Sequence, residues 1–172
     1  WDDAKNPKNL YLDGIMRALD GATGKELWSV TDPKLRMIAG ASLAAGDING
    51  DNQPEIVGVD ANFYVKAFDR KGKLLWTSNA QVASRAEKTN KWGGWGGGIS
   101  IADLDADGKP EIFFDRTVFD NTGKLKWKGA SGGCGAHYCN YGPLSTAANL
   151  DGDAKGTLEL VAGNRVYSHD GK

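Results

Sequence analysis

Ala45-Gly46-Asp47-Ile48-Asn49-Gly50-Asp51-Asn52-Gln53-Pro54-Glu55-Ile56-Val57 is the first of three copies of one pattern. The second reads Ala102-Asp103-Leu104-Asp105-Ala106-Asp107-Gly108-Lys109-Pro110-Glu111-Ile112-Phe113. A looser third reads Asn149-Leu150-Asp151-Gly152-Asp153-Ala154-Lys155-Gly156-Thr157-Leu158-Glu159-Leu160. Oxygen-bearing side chains recur at positions one, three and five, and a carboxylate follows at nine, or two residues later in the third copy. A hard cation such as calcium asks for this donor set: six to eight oxygens at roughly 2.3–2.6 Å, from carboxylates, carbonyls and water. The expected ligands are Asp47, Asn49, Asp51 and Glu55 with the Gln53 carbonyl, then Asp103, Asp105, Asp107 and Glu111 with the Lys109 carbonyl. Asn149, Asp151, Asp153 and Glu159 form a third, differently shaped candidate.

The sixth position of such a loop needs a positive φ, which Gly and Asn tolerate best. Asn52 and Gly108 suit it, and Ala154 does not. Asp-Gly-rich stretches also serve as plain β-turns. Against that reading, several carboxylates crowded into one short loop repel each other unless a cation neutralises them.

The 172 residues suffice for one domain with a real core. A net charge of −1 and the lack of a basic face argue against a nucleic-acid partner. No apolar run approaches the roughly 18 residues of a membrane span. The chain opens on Trp1 rather than Met and shows no signal peptide, which suggests a processed or excised chain. Abundant glycine with six tryptophans points to many turns around large apolar anchors, hence an all-β protein. Cys134 and Cys139 are the only cysteines. Paired, they would close a small loop and contribute about 2 kcal/mol; two free thiols remain the alternative. Carboxylate loops and a disulfide together point outside the cytosol.

A second unit interleaves with the first. Ala18-Leu19-Asp20-Gly21-Ala22-Thr23-Gly24-Lys25-Glu26-Leu27-Trp28 reads as strand, turn, strand. It recurs from Ala67 to Trp76 and from Val118 to Trp127, and a fourth copy starts at Tyr167. Trp28, Trp76 and Trp127 lie 48 and 51 residues apart, and a period near 50 marks a repeat architecture. Each period holds four short strands, which is the blade of a β-propeller. EF-hand or dockerin readings fail, because they need helices after the loop and an EF-hand closes with Glu at position twelve. Here Glu55 and Glu111 follow a proline and lead into β-forming residues.

The Asp-x-Asp/Asn-x-Asp-x-x-Pro-Glu-Ile loops resemble the FG-GAP or VCBS repeats of integrin-α-like β-propellers. Ala18 to Trp28 also resembles the tryptophan motif of quinoprotein-like propellers, and nothing carries over as a quinone ligand. The resemblance implies calcium in the loop joining the first and second strands of each blade, and Trp packed between blades. The expected organisation is a partial propeller of about three four-stranded blades. Its parts are the outer half of one blade at 10–30, blades at 36–78 and 97–128, and an incomplete blade at 143–172. Three blades cannot close a ring, since propellers have about four to eight, so the sequence reads as a fragment of a longer one.

Two connections are long. Asn79 to Gly98 holds Trp92 and Trp95 among glycines, and Gly129 to Gly142 holds Cys134, His137, Tyr138, Cys139 and Tyr141. Long connections between short strands are usually functional or disordered. These aromatics could stack on a ligand, or fill gaps between blades. A zinc site on Cys134, His137 and Cys139 falls one short of the usual four ligands. The leading expectation is a non-enzymatic, extracellular, cell-surface or periplasmic module for adhesion, recognition or assembly. Its partner would be a protein, a glycan or further copies of itself. A secreted carbohydrate-active enzyme such as a polysaccharide lyase is the rival, with Arg85, Lys91, His137 and Tyr138 as available side chains. A structural subunit of a surface filament or layer is the third.

Overall fold

A computed structural model describes residues 13–82, 97–130 and 142–172. Trp92, Trp95, His137, Tyr138, Tyr141, Cys134 and Cys139, with Arg85 and Lys91, lie outside the described residues. The described chain is all-β, with no α-helix and one 3-10 turn at Pro33–Leu35. Asp32 caps that turn by accepting from the Lys34 N–H at 2.9 Å.

Among the described residues, fourteen strands form four separate sheets, none closed into a barrel. The first pairs β1 (Arg17–Leu19) with β2 (Glu26–Ser29). After the two-residue β3 (Ala41–Ser42) comes an antiparallel meander of β4 (Ala44–Gly46), β5 (Glu55–Val59), β6 (Tyr64–Phe68) and β7 (Leu74–Gln81). The third sheet repeats it with β8 (Gly97–Ala102), β9 (Glu111–Phe114), β10 (Thr117–Phe119) and β11 (Leu125–Lys128). There β3 adds a fifth, parallel strand beside β8, pairing Ala41 with Gly97. The fourth sheet has β12 (Ser145–Ala148), β13 (Glu159–Ala162) and β14 (Arg165–Tyr167).

The core lies between successive sheets. Met16, Val30, Met37 and Phe68 fill the first gap. Ile48, Val57, Val65 and Ala67 meet Ile99, Ile112, Phe114 and Phe119 in the second. Leu104, Phe113 and Val118 meet Leu160, Ala162 and Tyr167 in the third. Middle strands thus bury both faces: every residue of β9 and β10 is buried. That explains why Glu-Ile-Phe-Phe and Thr-Val-Phe lack the polar–apolar alternation of a half-exposed strand. Each fully buried Phe or Leu contributes roughly 1.5–3 kcal/mol.

Tryptophans clasp each sheet to the next. A turn of the same shape joins β6 to β7 and β10 to β11, and recurs after β14: Asp69 N donates to the Lys73 carbonyl, Asp120 N to Lys124 and Ser168 N to Lys172, at 2.9–3.0 Å. Trp28 lies on the glycine of the first turn, Gly72, Trp76 on Gly123, and Trp127 on Gly171. A Cβ on Gly123 would fall 2.5 Å from Trp76 Cε3, so the ring requires a bare backbone there. Trp28 Nε1 donates to the Arg70 carbonyl at 3.0 Å and Trp127 Nε1 to the His169 carbonyl at 2.8 Å. Asn79 adds a further tie, its Oδ1 accepting from Leu125 N across the second gap.

Candidate metal centre

All three Asp-rich segments are loops between the first and second strands of their sheets: β4–β5, β8–β9 and β12–β13. Each folds around its own carboxylates. In the first loop, Asp47 accepts from Gly50 N and Asp51 N through Oδ1, at 2.7 and 3.2 Å, and from Asn52 N through Oδ2 at 2.8 Å. In the second, Asp103 accepts from Asp107 N at 3.1 Å and Gly108 N at 2.9 Å. Position five folds the next bend: Asp51 accepts from Gln53 N at 2.8 Å and Asp107 from Lys109 N at 2.7 Å. The extra residues of the third loop change the scheme. There Asp153 collects Gly156 N, Thr157 N and the Thr157 hydroxyl, the last at 2.6 Å.

The closing glutamate makes one bond common to all three loops. Glu55, Glu111 and Glu159 each accept the backbone N–H of the residue after the first ligand, namely Ile48, Leu104 and Leu150, at 3.0, 2.8 and 2.7 Å. Glu55 and Glu111 are only 2% exposed, which fixes their carboxylates beneath the loops. Ile48 and Leu104 are buried by the following sheet, whereas Leu150 is 57% exposed.

Asp103, Asp105 and Glu111 bring one oxygen each within 4.8 Å of one another, a group that could hold a metal ion. Its donors are all oxygen, and Asp105 Oδ1 is buried with no hydrogen-bond partner, so the residues fit a hard cation. In the first loop the Asn49 amide sits among the acids, donating to Asp51 Oδ2 at 3.2 Å and Glu55 Oε1 at 3.1 Å.

One side chain that reaches the second loop from elsewhere escaped the sequence reading. Lys126, from β11, donates to Asp105 Oδ2 at 2.6 Å and Glu111 Oε1 at 3.0 Å. Burial raises the Glu111 pKa above its ordinary value, despite the opposing Leu104 N–H and Lys126. Burial works the same way on Asp105, but there the Lys126 hydrogen bond and charge win and the net shift is downward. The Asp47 carboxylate is likewise lowered, its four backbone donors outweighing desolvation. Comparing the residue before each docking tryptophan would have exposed the signal: Leu27, Leu75, then Lys126.

No family model matches the chain, and no curated protein matches it. Among solved structures it is similar to the exotype rhamnogalacturonan lyase YesX, at 20% identity over 97% of this chain and 36% of that one, with a TM-score of 0.62. It is also similar to the rhamnogalacturonan lyase YesW, at 20% identity over 95% of this chain and 27% of that one, with a TM-score of 0.56. The V. cholerae biofilm matrix protein Bap1 matches at 24% identity over 95% of this chain and 33% of its own, with a TM-score of 0.46. The chain thus spans about a third of the length of these structures. At 20% identity the two lyases share its fold, and the likeness extends no further.

Proposed function

We propose that this chain is an arc of a calcium-stabilised β-propeller of the FG-GAP or VCBS type, working as an extracellular module for adhesion, recognition or assembly. Successive four-stranded meanders, packed face to face through tryptophan clasps, are what blades would look like. The observation that carries the metal reading is the shared wiring of the loops, each closing glutamate gripping the N–H behind the first ligand. Asp47, Asn49, Asp51 and Glu55 would hold one ion, and Asp103, Asp105, Asp107 and Glu111 a second, with the Gln53 and Lys109 carbonyls. Asn149, Asp151, Asp153 and Glu159 would form the third site. A bound calcium would supply charge neutralisation and join two strands, so binding energy becomes folding energy. Partners would be a protein, a glycan or copies of the same chain, outside the cell, on its surface or in the periplasm.

Thermal melting tests the metal reading. Exhaustive chelation should lower the melting temperature, and added calcium should restore it by mass action. An identical melting curve after chelation would overturn it.

A second reading, the propeller part of a carbohydrate-active enzyme, draws on the fold shared with two proteins named as rhamnogalacturonan lyases. Incubation with pectic polysaccharide separates the two. New chain ends support the enzyme, and retention on the polymer without cleavage supports the binding module.

A further inference from the structure

The second loop already contains a cation. The Lys126 ammonium bridges Asp105 and Glu111, two of the three carboxylates that could share a metal. It arrives from β11, on the far side of the same sheet, where Trp127 pairs with Val118 in register. In the preceding sheet the matching pair is Trp76 with Ala67, and the residue before the tryptophan is Leu75, 44% exposed. In the first sheet it is Leu27, 63% exposed. The first loop is therefore left with a neutral amide, Asn49, among its acids, and the second with a full positive charge. An ammonium and a dication would compete for the same two carboxylates, and two cations held in one such site repel each other.

The geometry points to Lys126 as a resident counter-ion that holds the second loop folded without metal and must swing out before calcium can enter. This rests on the proposal that the loops bind calcium. The ammonium has somewhere to go. Lys126 lines an open groove of about 390 Å³ that Asp120 and Asp170 also line. The two loops then differ in kind: the first depends on calcium for neutrality, and the second exchanges one cation for another. Calcium should bind the second loop more weakly, and its occupancy should follow free calcium over a higher range.

Calorimetric titration of the whole chain with calcium chloride tests this, beside melting of the calcium-free protein. Lys126→Met keeps the stem and removes the charge. It should tighten one calcium-binding event at least tenfold and lower the calcium-free melting temperature. Lys126→Arg should bind as the wild type does, and adding Asp103→Ala to Lys126→Met should abolish the gained affinity. If wild type binds calcium and Lys126→Met binds it with the same affinities, the counter-ion role is overturned while the loop reading stands. If neither protein binds calcium at millimolar concentration, the loop reading itself falls. If Lys126→Met folds only with calcium present, the melting arm supports the proposal, and Lys126→Gln supplies the affinity comparison.

Discussion

Ala106 occupies backbone space that L-residues avoid. Its φ is 58°, at the fourth position of the second loop, where the other loops have Gly50 at 83° and Gly152 at 71°. A left-handed alanine costs roughly 1–2 kcal/mol, and glycine returns part of that through a looser unfolded chain. Ala106→Gly should therefore raise stability by about 1 kcal/mol in urea denaturation, and a loss would show that the loop needs the methyl group. The sequence made the sixth position legible, and Asn52 and Gly108 do hold positive φ, at 62° and 84°. In the third loop the inserted residues hand that role to Gly156, at 76°. The fourth position went unread, because two glycines and one alanine do not advertise a shared conformation. Lys126 was harder still, since it reaches its acids across 15 and 21 residues of chain and only the β10–β11 pairing brings it there.

Between sheets, the tryptophan and the turn glycine act as one joint. Trp76→Ala should cost about 3 kcal/mol, near the lower end for a large aromatic that packs against the core. Gly123→Ala should cost more than about 1 kcal/mol from its positive φ and the clash with the ring. In the double variant the clash vanishes, so the two losses should fall short of additive, and full additivity in denaturant melts would deny the contact. The turns also set the acid response. Asp69 is lowered from its ordinary 3.8, chiefly by the Lys73 backbone N–H. Asp120 is lowered by Thr122 and Lys124 against the cost of burial. Folding thus sheds protons from both, so their contribution is complete above about pH 4 and drains away as pH drops through the folded values. The denaturation midpoint should fall as pH drops below about 4, and Asp69→Asn with Asp120→Asn should flatten that slope. These turns were legible because one strand–turn–strand unit recurs along the chain; that each glycine receives the preceding sheet's ring depends on packing between repeats.

For the molecule as a whole, the all-β class and the order of loop, meander and turn were legible because they recur with a period near 50 residues. Repetition turns a weak local signal into a strong one. Strand pairing across that period was not. Ala41 and Ser42 are drawn out of their own meander to run parallel with Gly97 and Gly98 of the next sheet, a tie without local sequence signature. Buried charge was equally hidden: Lys66 pairs with Asp60 at 3.0 Å with both side chains under a tenth exposed. Asp60→Ala should leave the buried ammonium with only the Thr77 hydroxyl, at 3.3 Å, and cost about 3 kcal/mol, measurable as a shift in denaturation midpoint at constant slope.

The tryptophan joint always points forward, Trp28 to Gly72, Trp76 to Gly123, Trp127 to Gly171. Like couplings on railway wagons, every hook fits every eye. Excising residues 77–127 would present Trp76 to Gly171 across a junction of the same make, so the shortened chain should still give a β-type circular dichroism spectrum and a cooperative melt. Duplication or loss of one such length of gene would then alter reach and curvature without requiring a single new interface to be invented.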